Sequence, residues 1–415
     1  MEKKFRVLVG ECAGMDLGDG LFVLPGQGNS LAMTTDAGVV VLDSSSRRHT
    51  PGMLEMLRER TDAPVHAIVY SHGHNGYNAA VDLWDEHNRS RGEPLARRIA
   101  HRNVPPRYAR YRETAELQAR LSSMQFPSKR KIADTLRDLS LYDPTEVFDD
   151  TMTVTEGRRT VQVIHAPSET DDALAVWLPD DGLLAAGAAM PGSTIPNIGT
   201  PLRTQRLTIR WAESLERLAS LGAARLLTEF GPVVEGQHTV REWLTSSAAA
   251  LRWLRDEVVA RMNAGMDERE ILADMTYPAE IFDKPWLKPT YGAPEYIVRD
   301  LYREENGWWD RNPTTLHPAP PARVAEAVRS ALDPDRALQR AQELAEAGEI
   351  QLALHVVDLV AVGPAHEAVT RKAQSLKAEL CRQAAAGTKV YVSRSLYLTS
   401  AARLDEGDVS WTAIS

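Results

Sequence analysis

The sequence predicts an α/β protein whose sheets are covered by helices, continued by an all-helical region. Three observations lead to that reading. Up to about residue 240, short apolar runs bounded by Gly, Pro and Asp alternate with stretches of helical spacing. Beyond Glu242 the strand signals stop and an Ala- and Leu-rich helical periodicity takes over. In the first part, the apolar run Val65-His66-Ala67-Ile68-Val69-Tyr70 passes directly into Ser71-His72-Gly73-His74-Asn75-Gly76-Tyr77-Asn78. A strand ending in two histidines one residue apart is a place where imidazoles can converge on a metal.

Taken in order, residues 21–24, 31–35 and 38–43 read as strands separated by turn residues. Residues 51–60 have helical spacing and lead into the strand before His72, and a longer helix is expected over 79–91. Further strands are expected at 160–165, 173–178 and 183–186, then a helix at 208–221 ahead of the short apolar run 224–227. The helical part reads as 243–263, 267–275, 322–332, 335–347, 350–362 and 366–385, the last two pairs loosely like helical hairpins. Between them lie an aromatic loop around Trp286, Tyr291 and Trp308, expected to reach a partner or cover a cleft, and the Pro-rich linker Pro318-Ala319-Pro320-Pro321. The expected domains are 1–240 and 241–415, since 415 residues exceed one ordinary core.

Composition excludes several classes. A net charge of −9 argues against a phosphate-binding surface, so no nucleic acid partner is expected. Cys12 and Cys381 are the only cysteines, which removes both a disulfide framework and a cysteine zinc site. The opening residues lack the apolar stretch of a signal peptide. No run of about 18 apolar residues occurs, so no membrane span is expected and a cytoplasmic setting is. No phosphate-binding glycine loop, dinucleotide fingerprint or nucleophile elbow is present.

Several segments together resemble the metallo-β-lactamase superfamily, in its alkyl sulfatase-like branch with a helical dimerisation domain. They are Val39-Val40-Val41-Leu42-Asp43, Ser71-His72-Gly73-His74, Pro167-Ser168-Glu169-Thr170-Asp171-Asp172, Pro196-Asn197-Ile198-Gly199-Thr200-Pro201, the helix around Trp211, and Gly307-Trp308-Trp309-Asp310-Arg311-Asn312-Pro313. The resemblance implies an αββα sandwich followed by an all-α dimerisation domain, hence a homodimer, with the sterol-carrier-like domain that ends many alkyl sulfatases missing. It also exposes departures. The family's main motif has Asp and His where this chain has Gly76 and Tyr77; a bridging acid is replaced by Gly187-Ala188, and a late His by Glu229-Phe230. Gly, Ala and Phe offer no side-chain ligand, and neutral Tyr is a poor one.

What the resemblance leaves is one half of a two-metal cluster: His72, His74 and Glu169. Two His and one Glu with an open position describe a catalytic zinc site, and equally the facial triad that suits Fe(II). The expected cofactor is therefore one zinc ion, with Fe(II) or no metal as alternatives. The corresponding activities are hydrolysis of a small anionic or ester-bearing substrate, oxygen-dependent oxidation, or a metal-free rearrangement, elimination or simple binding. Asp43 is expected to orient His74 or a neighbouring loop. Tyr77 and Asn75 are candidate catalytic groups, as proton donor, oxyanion holder or substrate hydrogen-bond partner, or else fill space a metal would take. By the resemblance, Arg203 and Arg206 recognise a sulfate with Asn197 nearby, an ordinary salt bridge being the alternative for each Arg. Asp171 and Asp172 are expected to cap or solvate their loop, a further metal ligand being the alternative; His101 is expected to pack, and Glu229 to sit at the rim, the alternative being that it swings into the vacant region.

Overall fold

A computed structural model describes residues 10–126, 139–362 and 367–409. The expected helix start at His366 lies outside the described residues. The chain divides into two compact units, Met1–Gln118 with Lys131–Glu305, and Ala119–Arg130 with Asn306–Ser415.

The first unit is a sandwich of two sheets. One sheet has seven strands in sequential order: β1 (Asp16–Gly18), β2 (Leu21–Leu24), β3 (Ser30–Thr35), β4 (Gly38–Leu42), β5 (Val65–Val69), β6 (Arg97–His101) and β7 (Glu146–Phe148). The other has six, ordered β13-β12-β11-β10-β9-β8, formed by β8 (Thr151–Thr155), β9 (Val161–His165), β10 (Leu174–Leu178), β11 (Leu183–Ala185), β12 (Arg225–Leu227) and β13 (Val233–Glu235). The alternation of strand side chains explains the layering. Leu21, Val23, Val40 and Leu42 share a core with Val163, Leu174, Val176 and Leu183 of the other sheet. Their sequence neighbours Phe22, Leu24, Val39 and Val41 face Met53, Leu57, Val81, Trp84 and Tyr108 on the helices over the outer surface. Burying each such aliphatic side chain is worth about 1.5–3 kcal/mol, more than the roughly 1 kcal/mol net of a hydrogen bond, so these layers dominate the fold.

Helices cover the second sheet too. Thr208–Ala219 places Trp211, Leu215 and Leu218 against Leu184 and Leu226. The helices Gln237–Asn263 and Pro294–Asn306 join the same core through Leu244, Leu251, Leu254, Ile297 and Leu301. The first compact unit therefore takes in these helices up to Glu305. A change from strand to helix texture does not reveal which core a helix packs on. Trp286 is buried in this unit, stacked on Trp243 at 4.2 Å, so it is not a free arm for a partner. Trp308 is 71% exposed.

The second unit is helical. Pro321–Arg329, Pro334–Glu346, Ile350–Ala361, Ala368–Gly387 and Tyr391–Asp405 follow one another. Leu338, Leu344, Val357, Val360, Leu380 and Leu404 are among its core. The Asp333 side chain caps the second of these helices by accepting from Asp335 and Arg336 N–H, with Pro334 in its first turn. Both cysteines are buried and unpaired. No described helix is long and apolar enough to cross a membrane.

Sheet direction sets where chemistry can happen. β4, β5 and β6 run parallel, as do β11 and β12, so several strand ends open onto one edge of the sandwich. Asp43, Ser71-His72-Gly73-His74 and Glu229 all lie just past the ends of β4, β5 and β12. The Leu174 N–H to Ser71 C=O bond, 2.8 Å, ties the start of β10 to the same edge. Ligand sites of parallel sheets favour such carboxyl ends.

Candidate metal centre

The loop after β5 is folded by its own polar residues. Asp43 leaves β4 at a φ of 64°, a conformation that a non-glycine residue adopts at a cost of order 1–3 kcal/mol. There its carboxylate accepts from the Ser71 N–H at 2.8 Å and from the Asn78 amide at 2.7 Å, while Asn78 also accepts from the Ser44 N–H. Asp43 thus holds the two ends of the histidine loop, the neighbouring-loop role expected for it. Burial pushes its carboxyl up to about 7, against the hydrogen bonds from Ser71 and Asn78. Gly73 sits between the histidines because a Cβ there would lie 2.7 Å from both Asp172 Oδ2 and Arg107 Cδ. Its N–H donates to Asp172 Oδ1 at 3.0 Å, and Arg107 pairs with both Asp172 and Asp171. Asp172 is fully buried, so it is a brace under the loop and not a solvated cap; sequence gave no sign of its Arg107 partner.

That frame brings His72, His74 and Glu169 together, each offering one ligand atom, all within 4.8 Å of one another. His72 Nε2 lies 3.0 Å from His74 Nδ1, and His74 Nδ1 lies 3.8 Å from Glu169 Oε2. The remaining nitrogen of His72, Nδ1, is 3.0 Å from Ser71 Oγ, a partner that fixes the ring. Burial lowers His72 to about 4, with Glu169 and Asp172 opposing it. Burial also holds His74 well below the usual histidine range, aided by His72 and by Arg206, Arg107 and Arg203. Both rings are therefore neutral at pH 7 and have lone pairs to give. Glu169 is pushed up by burial, but Arg206, His72, Asn197 and Arg203 outweigh that and keep it ionised. Two neutral imidazoles and one carboxylate oxygen, close enough to share an ion, fit a single metal.

Glu169 is held by residues expected to bind substrate. Arg206 Nη1 lies 2.9 Å from Glu169 Oε1, and the Asn197 amide donates to that oxygen at 2.8 Å. Arg206 and Asn197 are both 7% exposed. Arg203, half-buried, forms no ion pair among the described residues, and its charge is disfavoured by burial and by Arg206 while Tyr291, Tyr111 and Glu169 favour it.

The other side of His72 is built differently. The Tyr77 ring packs on His72 with centroids 4.1 Å apart, and its hydroxyl donates to Glu229 Oε1 at 2.5 Å. Glu229 is 5% exposed, so the rim position expected for it is corrected: it returns from the end of β12 into the interior. Burial, with Glu169 and Asp43 nearby, raises its carboxyl well above the usual range, against the Tyr77 hydrogen bond. Burial and the Glu229 and Glu169 charges raise the Tyr77 hydroxyl as well. Burial thus favours the protonated form of both. Asp43, Ser71, Tyr77, Thr228 and Glu229 border a cavity with room for about one water. Asn75 is exposed on the turn, outside this buried cluster. His101, as expected, packs: it stacks on His165 at 3.7 Å and 7°.

Residues 23–229 match the family model described as the Metallo-beta-lactamase superfamily, and residues 267–407 the one described as Alkyl sulfatase dimerisation. Among curated proteins, a linear primary-alkylsulfatase of Pseudomonas sp. (strain ATCC 19151) is 27% identical over 395 residues, 90% of this chain and 74% of that one. An (R)-specific secondary-alkylsulfatase of Pseudomonas sp. is 25% identical, covering 91% and 60%, and an alkyl/aryl-sulfatase of Saccharomyces cerevisiae 21%, covering 84% and 56%. The chain thus spans between about half and three quarters of the curated relatives it matches. Among solved structures, the stereoselective inverting sec-alkylsulfatase Pisa1 from Pseudomonas sp. superposes with a TM-score of 0.81 at 20% identity, covering 95% of this chain and 65% of that one. At that identity the likeness concerns the fold.

Proposed function

This chain belongs to the metallo-beta-lactamase superfamily, and we propose that it is a single-metal hydrolase of small anionic esters, with an alkyl sulfate as the first substrate to try. The observation that carries the reading is the grouping of His72, His74 and Glu169 beside Arg203, a guanidinium with no carboxylate partner among the described residues. The sulfate ester is suggested by the alkylsulfatases to which the chain is similar.

His72, His74 and Glu169 would hold the ion, and zinc is the ion we propose, since two imidazoles and a carboxylate are a donor set of catalytic zinc. The chemistry such an ion supplies is acidification of water and polarisation of an ester oxygen. The chain's own residues do the rest. Arg203 offers a planar fork of donors to a tetrahedral anion. Tyr77 keeps its proton, seals the buried side of His72 and donates to Glu229, so it serves as a hydrogen-bond donor and not as a base. Asn75, exposed on the turn, is left as an outer contact for an incoming substrate. Residues 267–407, which match the dimerisation model, are assigned to pairing two copies of the chain; light scattering of the purified protein should give twice the chain mass.

Sulfate release from an alkyl sulfate tests the activity. Zinc-loaded protein should turn over, lose activity on chelation and regain it with zinc. Arg203→Ala should raise KM about tenfold or more, the loss of a charged hydrogen-bond pair. Absence of sulfate release after loading with zinc or Fe(II) would contradict the proposal.

A further inference from the structure

We infer that Arg206 and Asn197 are positioning residues that restrict Glu169 to ligation through one oxygen, and that they are not the anion-binding pair suggested by their place around the 196–201 turn. The inference rests on the single-metal reading. Its geometric basis is that both donors converge on the same atom: Arg206 Nη1 at 2.9 Å and the Asn197 amide at 2.8 Å from Glu169 Oε1. The other oxygen, Oε2, lies 3.8 Å from His74 Nδ1. A carboxylate so engaged cannot chelate through both oxygens, nor rotate, without leaving two buried donors unsatisfied.

The donors are themselves fixed. Arg206 Nη1 also donates to the Asn197 carbonyl, and the Arg206 N–H donates to Asp300 Oδ2 at 3.0 Å. Thr200 Oγ1 donates to Asn197 Oδ1, which orients the amide so that its nitrogen points at Glu169. Asp300 belongs to the helix Pro294–Asn306. Its neighbour on that helix, Tyr296, has its carbonyl oxygen 1.9 Å from where a Cβ on Gly199 would stand. The turn thus lies directly on the helix, and the helix reaches Glu169 through Arg206. Nη1 uses both of its N–H groups on Glu169 and Asn197, and the guanidinium charge is matched by the Glu169 carboxylate already in place. This assigns a function to a helix that sequence texture placed in a separate domain.

Arg206 carries two opposed effects on a bound cation: its charge repels it, while its hydrogen bond steadies the carboxylate that receives it. Asn197 supplies the hydrogen bond without the charge, so the two variants separate the effects. Zinc affinity should be measured on the full chain by competition with a chromophoric chelator, and KM with an alkyl sulfate on the zinc-saturated enzyme. Arg206→Met and Asn197→Ala should each weaken zinc binding about 10- to 100-fold, the usual range for partners behind a metal ligand, with KM changed by less than about threefold. Arg203→Ala should do the reverse, raising KM and leaving zinc affinity alone. Unchanged or tighter zinc binding in Arg206→Met, with KM raised tenfold, would overturn the inference. If Arg206→Met fails to fold, Asn197→Ala decides: zinc affinity equal to wild type overturns it, and a drop supports it. Wild-type protein that binds zinc but releases no sulfate would overturn the proposed activity while the zinc titrations still test this inference. Wild-type protein that takes up no zinc would overturn both.

Discussion

His72 is shared by two sets of neighbours. Towards His74 and Glu169 it meets groups with electron pairs to give: neutral imidazoles and a carboxylate kept ionised by Arg206. Towards Tyr77, whose ring packs on it, it meets a phenol that burial keeps protonated and that donates to Glu229, a carboxyl that burial raises. The two sets lie in one interior and are both desolvated, yet they reach opposite protonation states. The difference is counter-charge: Glu169 has an ion pair with Arg206, whereas among the described residues the Glu229 carboxyl has no ion pair and is hydrogen-bonded by Tyr77. A buried carboxyl without a cation takes a proton instead. The side facing Glu169 therefore has the electrostatics of a metal site, and the side facing Glu229 has protons where the family motif implies further ligands.

The largest effects should come from the ligand side. Glu169→Gln and His72→Ala should each lower zinc affinity by at least about 100-fold, roughly 2.7 kcal/mol, in a chelator competition assay, because each removes a donor from a set of three. Equal affinity in Glu169→Gln would break the comparison at its first step. Next is Gly199→Ala, where the new Cβ would stand 1.9 Å from Tyr296 O at a φ of 66°. It should destabilise by about 3 kcal/mol in thermal or urea unfolding, since backbone must shift to admit it. A wild-type melt would mean that the helix Pro294–Asn306 does not buttress the 196–201 turn.

The proton-bearing side should respond less. Tyr77→Phe leaves Glu229 without its donor and should destabilise by about 2 kcal/mol, with zinc uptake unchanged. Glu229→Gln should be the mildest, under about 1 kcal/mol at pH 7, because the amide replaces a carboxyl that is already neutral. Its signature is pH dependence. A carboxyl raised on folding contributes stability that is full below its unfolded value of 4.5 and is lost as pH rises through the folded one. Glu229→Gln should therefore flatten the fall of Tm as pH rises above 4.5, leaving the part due to Asp43 as it titrates near 7. His72 acts in the other sense: lowered to about 4, it contributes stability present above 6.5 and lost as pH falls toward 4. A pH profile of Glu229→Gln identical to wild type would show Glu229 ionised, against the comparison.

The sequence made much of the ligand side legible. A strand of apolar residues ending at Tyr70 predicts where His72 emerges, and the alternation in residues 21–24 and 39–42 predicts sheets with two buried faces. The rest depended on pairings between distant segments. Nothing local to Glu229 says that its side chain meets Tyr77 across 152 positions, so a surface residue was the natural expectation. Arg206 and Asn197 read as anion binders through the resemblance of their segment to the alkyl sulfatase-like branch, and the Glu169 they meet lies on another loop. The helix Pro294–Asn306 escaped notice between proline-punctuated aromatic stretches, although Ile297, Val298 and Leu301 have the 3-to-4 spacing of a buried face and were the available signal.

The central claim is that one half of the cleft binds metal and the other does not. Elemental analysis of protein purified without chelators and equilibrated with zinc tests it most directly. The account predicts one zinc per chain in the wild type and in Glu229→Gln, and none retained by Glu169→Gln after gel filtration. Two ions per chain, or one that survives Glu169→Gln, would contradict it.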